Sequence, residues 1–301
     1  MGTVPIFPGA LLSWVMDPKI AEQFLTLRFA LDVGQKQITE FEDRLKGKFD
    51  SLSSVDEKKT FLQNEATYLF LKNFWQQYEF LVKKIEKEDD LANFQFYIPL
   101  ARILLEIYGE FLYFINQDAK GQVGIYSANY LLYLTDFYRF VSVGNQKIKN
   151  EYDRLRTVWN DVLSSDGISY AEDISAHTQR IVNDLGFNFP HYDQIFQKPY
   201  FAEQSYDTLA LWQKDTAKTF YNKYYRSHSN YTHPSFTNQM SGATQNEVFW
   251  LIQFLFIAGQ LMIELCNRKI FDGKFKSEYN ELTRHIAETY PRLQEIWNPG
   301  K

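Results

Sequence analysis

The sequence predicts an all-α fold, an elongated bundle of about seven long helices. Apolar residues recur at three- and four-residue spacings over long stretches, and no stretch alternates apolar and polar residues with the β-branched enrichment typical of strands. A 45% apolar content over 301 residues is enough for a substantial core, and 26 phenylalanines and 20 tyrosines make that core aromatic. The composition therefore favours a folded helical protein over a disordered one.

The chain opens with two helices, which together span about residues 17–88. Asp17 and Pro18 supply an N-cap and a first-turn proline for a helix that runs to about residue 48. Ser54 and Glu57 stand three residues apart, as in a capping box, and predict the start of a second helix that runs to about residue 87.

The middle of the chain predicts two further helices, at about 94–117 and 126–163, separated by a glycine-containing break. An irregular excursion follows at about 166–203, with at most a short helix at 175–185. Long excursions in compact domains are often lids or binding loops.

The last third predicts helices at about 205–232, 246–267 and 276–297, and Pro291 is expected to distort the last of them. The sequence contains neither a repeat of fixed period nor a low-complexity linker. One all-α domain over residues 1–301 is therefore preferred to two independent units.

The apolar stretch 248–266 is long enough to suggest a membrane span, but three polar residues interrupt it. Gln253, Gln260 and Glu264 follow one another at spacings of seven and four, which places them on one helix face. This pattern is typical of a central helix that carries a polar seam through a soluble bundle. No membrane association is expected.

Charge and cysteine content set limits on partners and location. A net charge of -5 argues against non-specific coating of nucleic acid, so any phosphate site must be local. The single cysteine, Cys266, lies in an apolar run and is expected to be a buried, reduced thiol. The start of the chain does not resemble a secretory signal. We therefore expect a cytoplasmic protein.

The common metal- and nucleotide-binding motifs do not occur in the sequence. None of the five histidines stands three residues after a glutamate, and no His-x-x-x-His pair or Cys/His cluster occurs. The glycine-rich phosphate cradles of P-loop and dinucleotide-binding proteins are also absent from the sequence. We expect neither a metal site nor a cofactor.

Arg226 and His233 are the most informative pair in the chain. At about 100° per residue, a separation of seven returns to nearly the same azimuth, so both side chains are expected on one helix face about two turns apart. A guanidinium stays charged and binds phosphate through a bidentate fork, whereas imidazole titrates close to neutral pH. This combination can bind a phosphodiester and move a proton; the alternative is a structural polar cluster.

The neighbourhood of this pair is locally cationic and rich in tyrosine. Three lysines and Arg226 fall on the predicted helix with a single aspartate between them. Either this is a solvated helix face with tyrosines in the core, or it is an anion-binding surface. The candidate substrate-binding residues in this segment are Lys223, Tyr225, His228 and Asn230.

Arg102 and Glu106 form a second candidate pair, at i and i+4 on an otherwise apolar helix. One interpretation is an internal ion pair, because buried charges are tolerated when they are paired. The other places Arg102 or Glu106 beside Arg226 and His233, where the carboxylate would orient one of them; on this interpretation both join the candidate substrate-binding residues.

The Arg-x6-His spacing resembles the Arg-x4–6-His signature of the HEPN (higher eukaryotes and prokaryotes nucleotide-binding) helical superfamily. The Arg102 to Glu106 helix, together with the segment Tyr225 to Ser235, also resembles an uncharacterised bacterial helical family with an Arg-x-x-x-Glu helix and a Tyr-x-x-x-Ser-x-x-x-His-x-Ser helix. The resemblance covers about residues 95–268, leaving the N-terminal helices and the last helix outside it.

Membership of the HEPN superfamily would imply a four- to five-helix core, homodimerisation or a partner protein, and metal-independent RNA cleavage in toxin or phage-defence systems. Arg226 would then bind the scissile phosphate, and His233 would act as general acid or base. The sequence departs from the nuclease motif at Ser227, where Asn, Asp or His is common. The alternative is a non-catalytic interaction or ligand-binding module in which the same residues form a structural polar network.

Overall fold

A computed structural model describes residues 18–46, 51–88, 93–118 and 245–297, with five short stretches between 121 and 165. The described part is 89% helical and contains no strand, which confirms the all-α class. It comprises five helices rather than seven: α1 Pro18–Leu45, α2 Val55–Glu86, α3 Phe94–Ile115, α4 Gln245–Lys269 and α5 Lys276–Trp297. The helix expected at 205–232 and the excursion at 166–203 lie outside the described residues, as does most of the helix expected at 126–163.

Three of the helices contain a proline, at the start of α1 and inside α3 and α5. Helix α1 begins at Pro18, as the sequence predicts, and ends at Leu45, slightly before the expected residue 48. Helix α3 continues through Pro99. Helix α5 likewise continues through Pro291, where a distortion was expected, and ends at Trp297.

The capping box of α2 is confirmed. Glu57 Oε2 accepts hydrogen bonds from the backbone N–H groups of Ser53, at 2.8 Å, and Ser54, at 2.9 Å. In return, the Glu57 backbone N–H donates to Ser54 Oγ at 3.2 Å. These bonds satisfy N–H groups that the first helical turn leaves without an intrahelical partner.

The chain divides into two compact units, and the three N-terminal helices contribute to both. The first unit contains, among the described residues, 18–37, 71–88, 93–110 and 245–297. The second contains 38–46, 51–70, 111–118 and the short stretches up to 165. A single domain over the whole chain stays a prediction.

Within the first unit, α1 and α2 run antiparallel, since Arg28 pairs with Glu86 and Gly34 lies against Trp75. Trp75 and Tyr78 meet edge to face, with their ring centroids 5.2 Å apart, and both are fully buried. Helix α4 is buried along most of its length. It is the one helix in the described part that is long and apolar enough to cross a membrane.

Helices α4 and α5 are joined by a tight turn. Asp272 and Gly273 adopt positive φ angles of 46° and 82°. This conformation suits glycine, and it lets the Gly273 N–H reach back to the Asn267 carbonyl at 2.9 Å. Phe271 and Phe275 pack edge to face across the turn, with centroids 4.9 Å apart.

The second unit has its own aromatic cluster. The Phe70 ring lies 5.4 Å from the rings of both Phe111 and Phe114. The Tyr68 hydroxyl donates to Glu42 Oε1 at 2.7 Å and so links α1 to α2 within this unit.

Candidate functional site

The cationic candidate site lies outside the described residues. This applies to both proposed catalytic residues and to four of the six proposed substrate-binding residues: Arg226, His233, Lys223, Tyr225, His228 and Asn230. Their predicted roles stay predictions.

Arg102 and Glu106 lie on α3 and bind each other. Arg102 Nε donates to Glu106 Oε1 at 2.9 Å, and the two side chains are 17% and 23% exposed. The flanking residues Leu104 and Leu105 are buried. The geometry therefore matches the first interpretation, an ion pair at the margin of the core. The second, a placement beside Arg226 and His233, is untested.

The polar seam predicted for α4 is confirmed, because Gln253, Gln260 and Glu264 are all buried. The structure extends it by one turn to Asn267, which is also buried. Asn267 was not predicted to belong to the seam, although its three-residue spacing from Glu264 places it on the same face. An apolar helix of this kind orients several polar groups inside the first unit.

Two members of the seam, Gln260 and Asn267, bond to α5 and to the turn before it. Gln260 Nε2 donates to Thr283 Oγ1 at 2.9 Å, and Thr283 Oγ1 donates to the Tyr279 carbonyl at 2.9 Å. Asn267 Oδ1 accepts the backbone N–H of Phe275 at 2.9 Å. These bonds satisfy buried polar atoms and fix how α5 lies against α4.

Glu264 is the charged member of the seam. Its side chain is 5% exposed and forms an ion pair with Arg268, with Glu264 Oε1 3.0 Å from Arg268 Nη2, while the Arg268 side chain is 46% exposed. Arg268 thus brings a positive charge from the surface to a buried carboxylate.

Tyr108 of α3 lies near this carboxylate. Burial raises the pKa of Tyr108 well above its ordinary value, and the negative charge of Glu264 raises it further. The hydroxyl therefore stays protonated at neutral pH and serves as a neutral polar group beside an ion pair.

One open pocket lies in the second unit, at the turn between α1 and α2. Its volume is about 500 Å³, and Arg44, Glu57 and Asn64 are among the residues that line it. Two of the three charged residues in its lining are engaged elsewhere: Arg44 pairs with Glu40 at 3.4 Å, and Glu57 caps α2; the third is Asp56.

No group of three or more histidine, cysteine, aspartate or glutamate side chains in the described part is arranged to hold a metal ion. Comparison with protein-family models, with curated proteins and with solved structures found no match. The HEPN-like assignment consequently stays a resemblance between short motifs.

Proposed function

We propose that the chain is a metal-independent ribonuclease of HEPN type, in which Arg226 binds the scissile phosphate and His233 moves a proton. The observation that carries the proposal is the seven-residue spacing of this pair in a cationic, tyrosine-rich segment of an otherwise acidic chain. Arginine supplies fixed positive charge for phosphate, and histidine is the side chain suited to proton transfer near pH 7.

The chemistry needs only groups of this kind. When the ribose 2′-oxygen attacks phosphorus, the bond to the 5′-oxygen of the next nucleotide breaks. The products are a 2′,3′-cyclic phosphate and a 5′-hydroxyl. His233 acts as base on the 2′-hydroxyl or as acid on the leaving oxygen, a role that typically contributes about 10²–10⁴-fold in rate. Arg226 stabilises charge that develops on the phosphate oxygens.

On this proposal the protein acts on RNA in the cytoplasm, as a homodimer or with a partner protein, in a toxin or phage-defence setting. Lys223, Tyr225, His228 and Asn230 contact the RNA backbone or bases. Arg102 and Glu106, which bind each other, lie beside the catalytic pair on this proposal, and the carboxylate orients Arg226 or His233.

The decisive experiment measures RNA cleavage in EDTA by wild-type protein and by Arg226→Ala and His233→Ala. We expect each substitution to reduce cleavage by about 10²-fold or more, with helicity unchanged by circular dichroism. His285→Ala is the control: this α5 histidine stacks on Phe29, with centroids 5.4 Å apart, and should retain full cleavage. Full activity of His233→Ala would eliminate the proposal.

A second candidate is a non-catalytic helical interaction or ligand-binding module. The observation that favours it is that polar pairs in the core, such as Arg102 with Glu106 and Gln260 with Thr283, bond to each other. In this case wild-type protein leaves RNA intact, and Arg226→Ala lowers the melting temperature markedly. An unchanged melting temperature would count against the module.

A further inference from the structure

The turn between α4 and α5 carries an excess of positive charge in an otherwise acidic chain. Its exposed cations are Arg268, Lys269, Lys274 and Lys276. Arg268 forms an ion pair with Glu264, and the next acidic residue after the turn, Glu278, pairs with Lys36 of α1 at 3.7 Å. Three lysines then stand against one acidic residue, Asp272, whereas the whole chain has a net charge of -5. Lys269, Lys274 and Lys276 are called the basic turn.

The backbone of the basic turn is held by hydrogen bonds. The Lys274 N–H donates to the Phe271 carbonyl at 2.9 Å, and the Lys276 N–H donates to the Gly273 carbonyl at 3.0 Å. Phe275, between these two lysines, is buried and packs on Phe271. Both lysines are exposed and are therefore presented to solvent from a fixed backbone. Groups that are ordered before binding lose less conformational entropy when a ligand arrives.

Two lysines of the basic turn stand where the dipole of α5 opposes them. Lys276 is the first residue of α5, and Lys274 lies two residues before it. The N-terminal end of a helix carries a partial positive charge, so cations close to it are unfavourable. Lys269 differs, because it lies in the last turn of α4, where a cation is favourable. Helix stability thus accounts for Lys269 but gives no reason for the other two, and residues that cost stability are typical of functional surfaces.

We propose that the basic turn is a second contact surface for RNA, where its three ammonium groups bind phosphates of the RNA backbone. This role rests on the proposed function and adds to it a surface that positions the strand without reading its bases. A lysine ammonium is a compact point charge, and phosphate contacts fix a nucleic acid strand rather than specify its sequence. Because the chain is acidic overall, a local excess of positive charge is what lets a polyanion approach.

RNA fits the basic turn better than a membrane surface does. Segments that bind membranes pair their cations with exposed aromatic or aliphatic side chains that enter the lipid. Phe271 and Phe275, the aromatic residues of the turn, are both 5% exposed and pack on each other instead. A ligand bound mainly through charge therefore suits this surface.

The test measures binding of a fluorescent single-stranded RNA with 2′-O-methyl groups, which is not cleaved because the attacking 2′-hydroxyl is blocked. Fluorescence anisotropy gives the dissociation constant over a range of salt concentrations. It is applied to wild-type protein and to the triple variant Lys269→Gln, Lys274→Gln and Lys276→Gln. We expect the variant to bind at least about tenfold more weakly at low salt. The slope of log K against log salt should also become shallower by about 2, since each phosphate contact on a single strand contributes about 0.7.

A matched control removes three lysines at the C-terminal end of α2: Lys83→Gln, Lys84→Gln and Lys87→Gln. These lysines are exposed, and their loss changes the net charge equally, but three glutamates interleave them. The control variant should therefore bind RNA as wild-type protein does.

A double variant, Lys274→Gln with Lys276→Gln, separates binding from folding. Its melting temperature should be unchanged or higher, because two cations leave the N-terminal end of α5. A lower melting temperature with unchanged RNA binding would show that the lysines serve the fold, which would overturn the proposal.

The remaining outcomes separate the basic turn from the ribonuclease. Equal weakening by the control variant would mean that net charge alone governs binding, and the basic turn would then have no special role. Wild-type affinity of the triple variant would also overturn the proposal, while cleavage of ordinary RNA by wild-type protein would leave the ribonuclease standing. Wild-type protein that binds RNA through the basic turn yet leaves ordinary RNA intact in EDTA would support the contact surface and end the ribonuclease proposal. No binding of RNA by wild-type protein would overturn both.

Discussion

Two arginine–glutamate pairs with the same sequence spacing differ in how much of the carboxylate reaches water. On α4, Glu264 is 5% exposed and bonds to Arg268 at 3.0 Å. On α5, Glu288 is 54% exposed and bonds to Arg284 at 2.8 Å. The distances are alike, so burial should decide what each arginine contributes to stability.

We predict that Arg268→Ala lowers the free energy of unfolding by about 1–3 kcal/mol, because a buried carboxylate loses its guanidinium. Arg284→Ala should change it by less than about 0.5 kcal/mol, because water replaces the lost contact. Urea denaturation of both variants measures the difference. Equal losses would show that burial of Glu264 has no energetic consequence.

At the scale of elements, α2 owes its defined start to Glu57. The carboxylate accepts hydrogen bonds from the backbone N–H groups of Ser53 and Ser54, and these bonds hold the pKa of Glu57 at about 2. The ordinary value is 4.5. The ionised form is therefore the form that stabilises the helix start.

The pH dependence follows from the sign of this shift. A lowered pKa in the folded state means that the stabilisation is complete above pH 4.5 and is lost as the pH falls towards 2. We predict that Glu57→Gln melts at a lower temperature than wild type at pH 6, and that this gap closes near pH 2. Thermal melts at both values measure it. A gap that stays constant with pH would contradict the role given to the charge.

At the scale of the whole molecule, Cys266 is a natural reporter of opening in the first unit. It is the single cysteine of the chain, it is fully buried on α4, and burial raises the pKa of its thiol well above the ordinary value. A thiol in this state is both inaccessible and protonated, and the thiolate is the reactive form.

We predict that a thiol reagent labels Cys266 at a rate set by unfolding in native buffer, and completely within seconds in concentrated urea. Ser277→Cys supplies the comparison, because Ser277 is exposed at the start of α5. That variant should show one fast and one slow thiol under native conditions. Fast labelling of wild-type protein would show that the α4 core opens readily.

Much of the local structure could be predicted from the sequence. The three- and four-residue apolar spacings, Pro18 at a helix start, and the Ser54 and Glu57 capping box are short-range signals, and five of the seven helices predicted from such signals are present in the described part. The polar face of α4 was predictable for the same reason, because helix geometry fixes which residues share a face.

By itself, then, the sequence determined the helical class, the ends of several helices and the position of the α4 seam. Only the tertiary structure decided which polar groups find partners: Asn267 meets the Phe275 backbone and Gln260 meets Thr283, whereas the polar atoms of Gln37, Trp75 and Tyr78 meet no partner in the described part. The physical reason is one of range. Helix formation depends on neighbours within about four residues, whereas a hydrogen bond between helices depends on where distant segments pack.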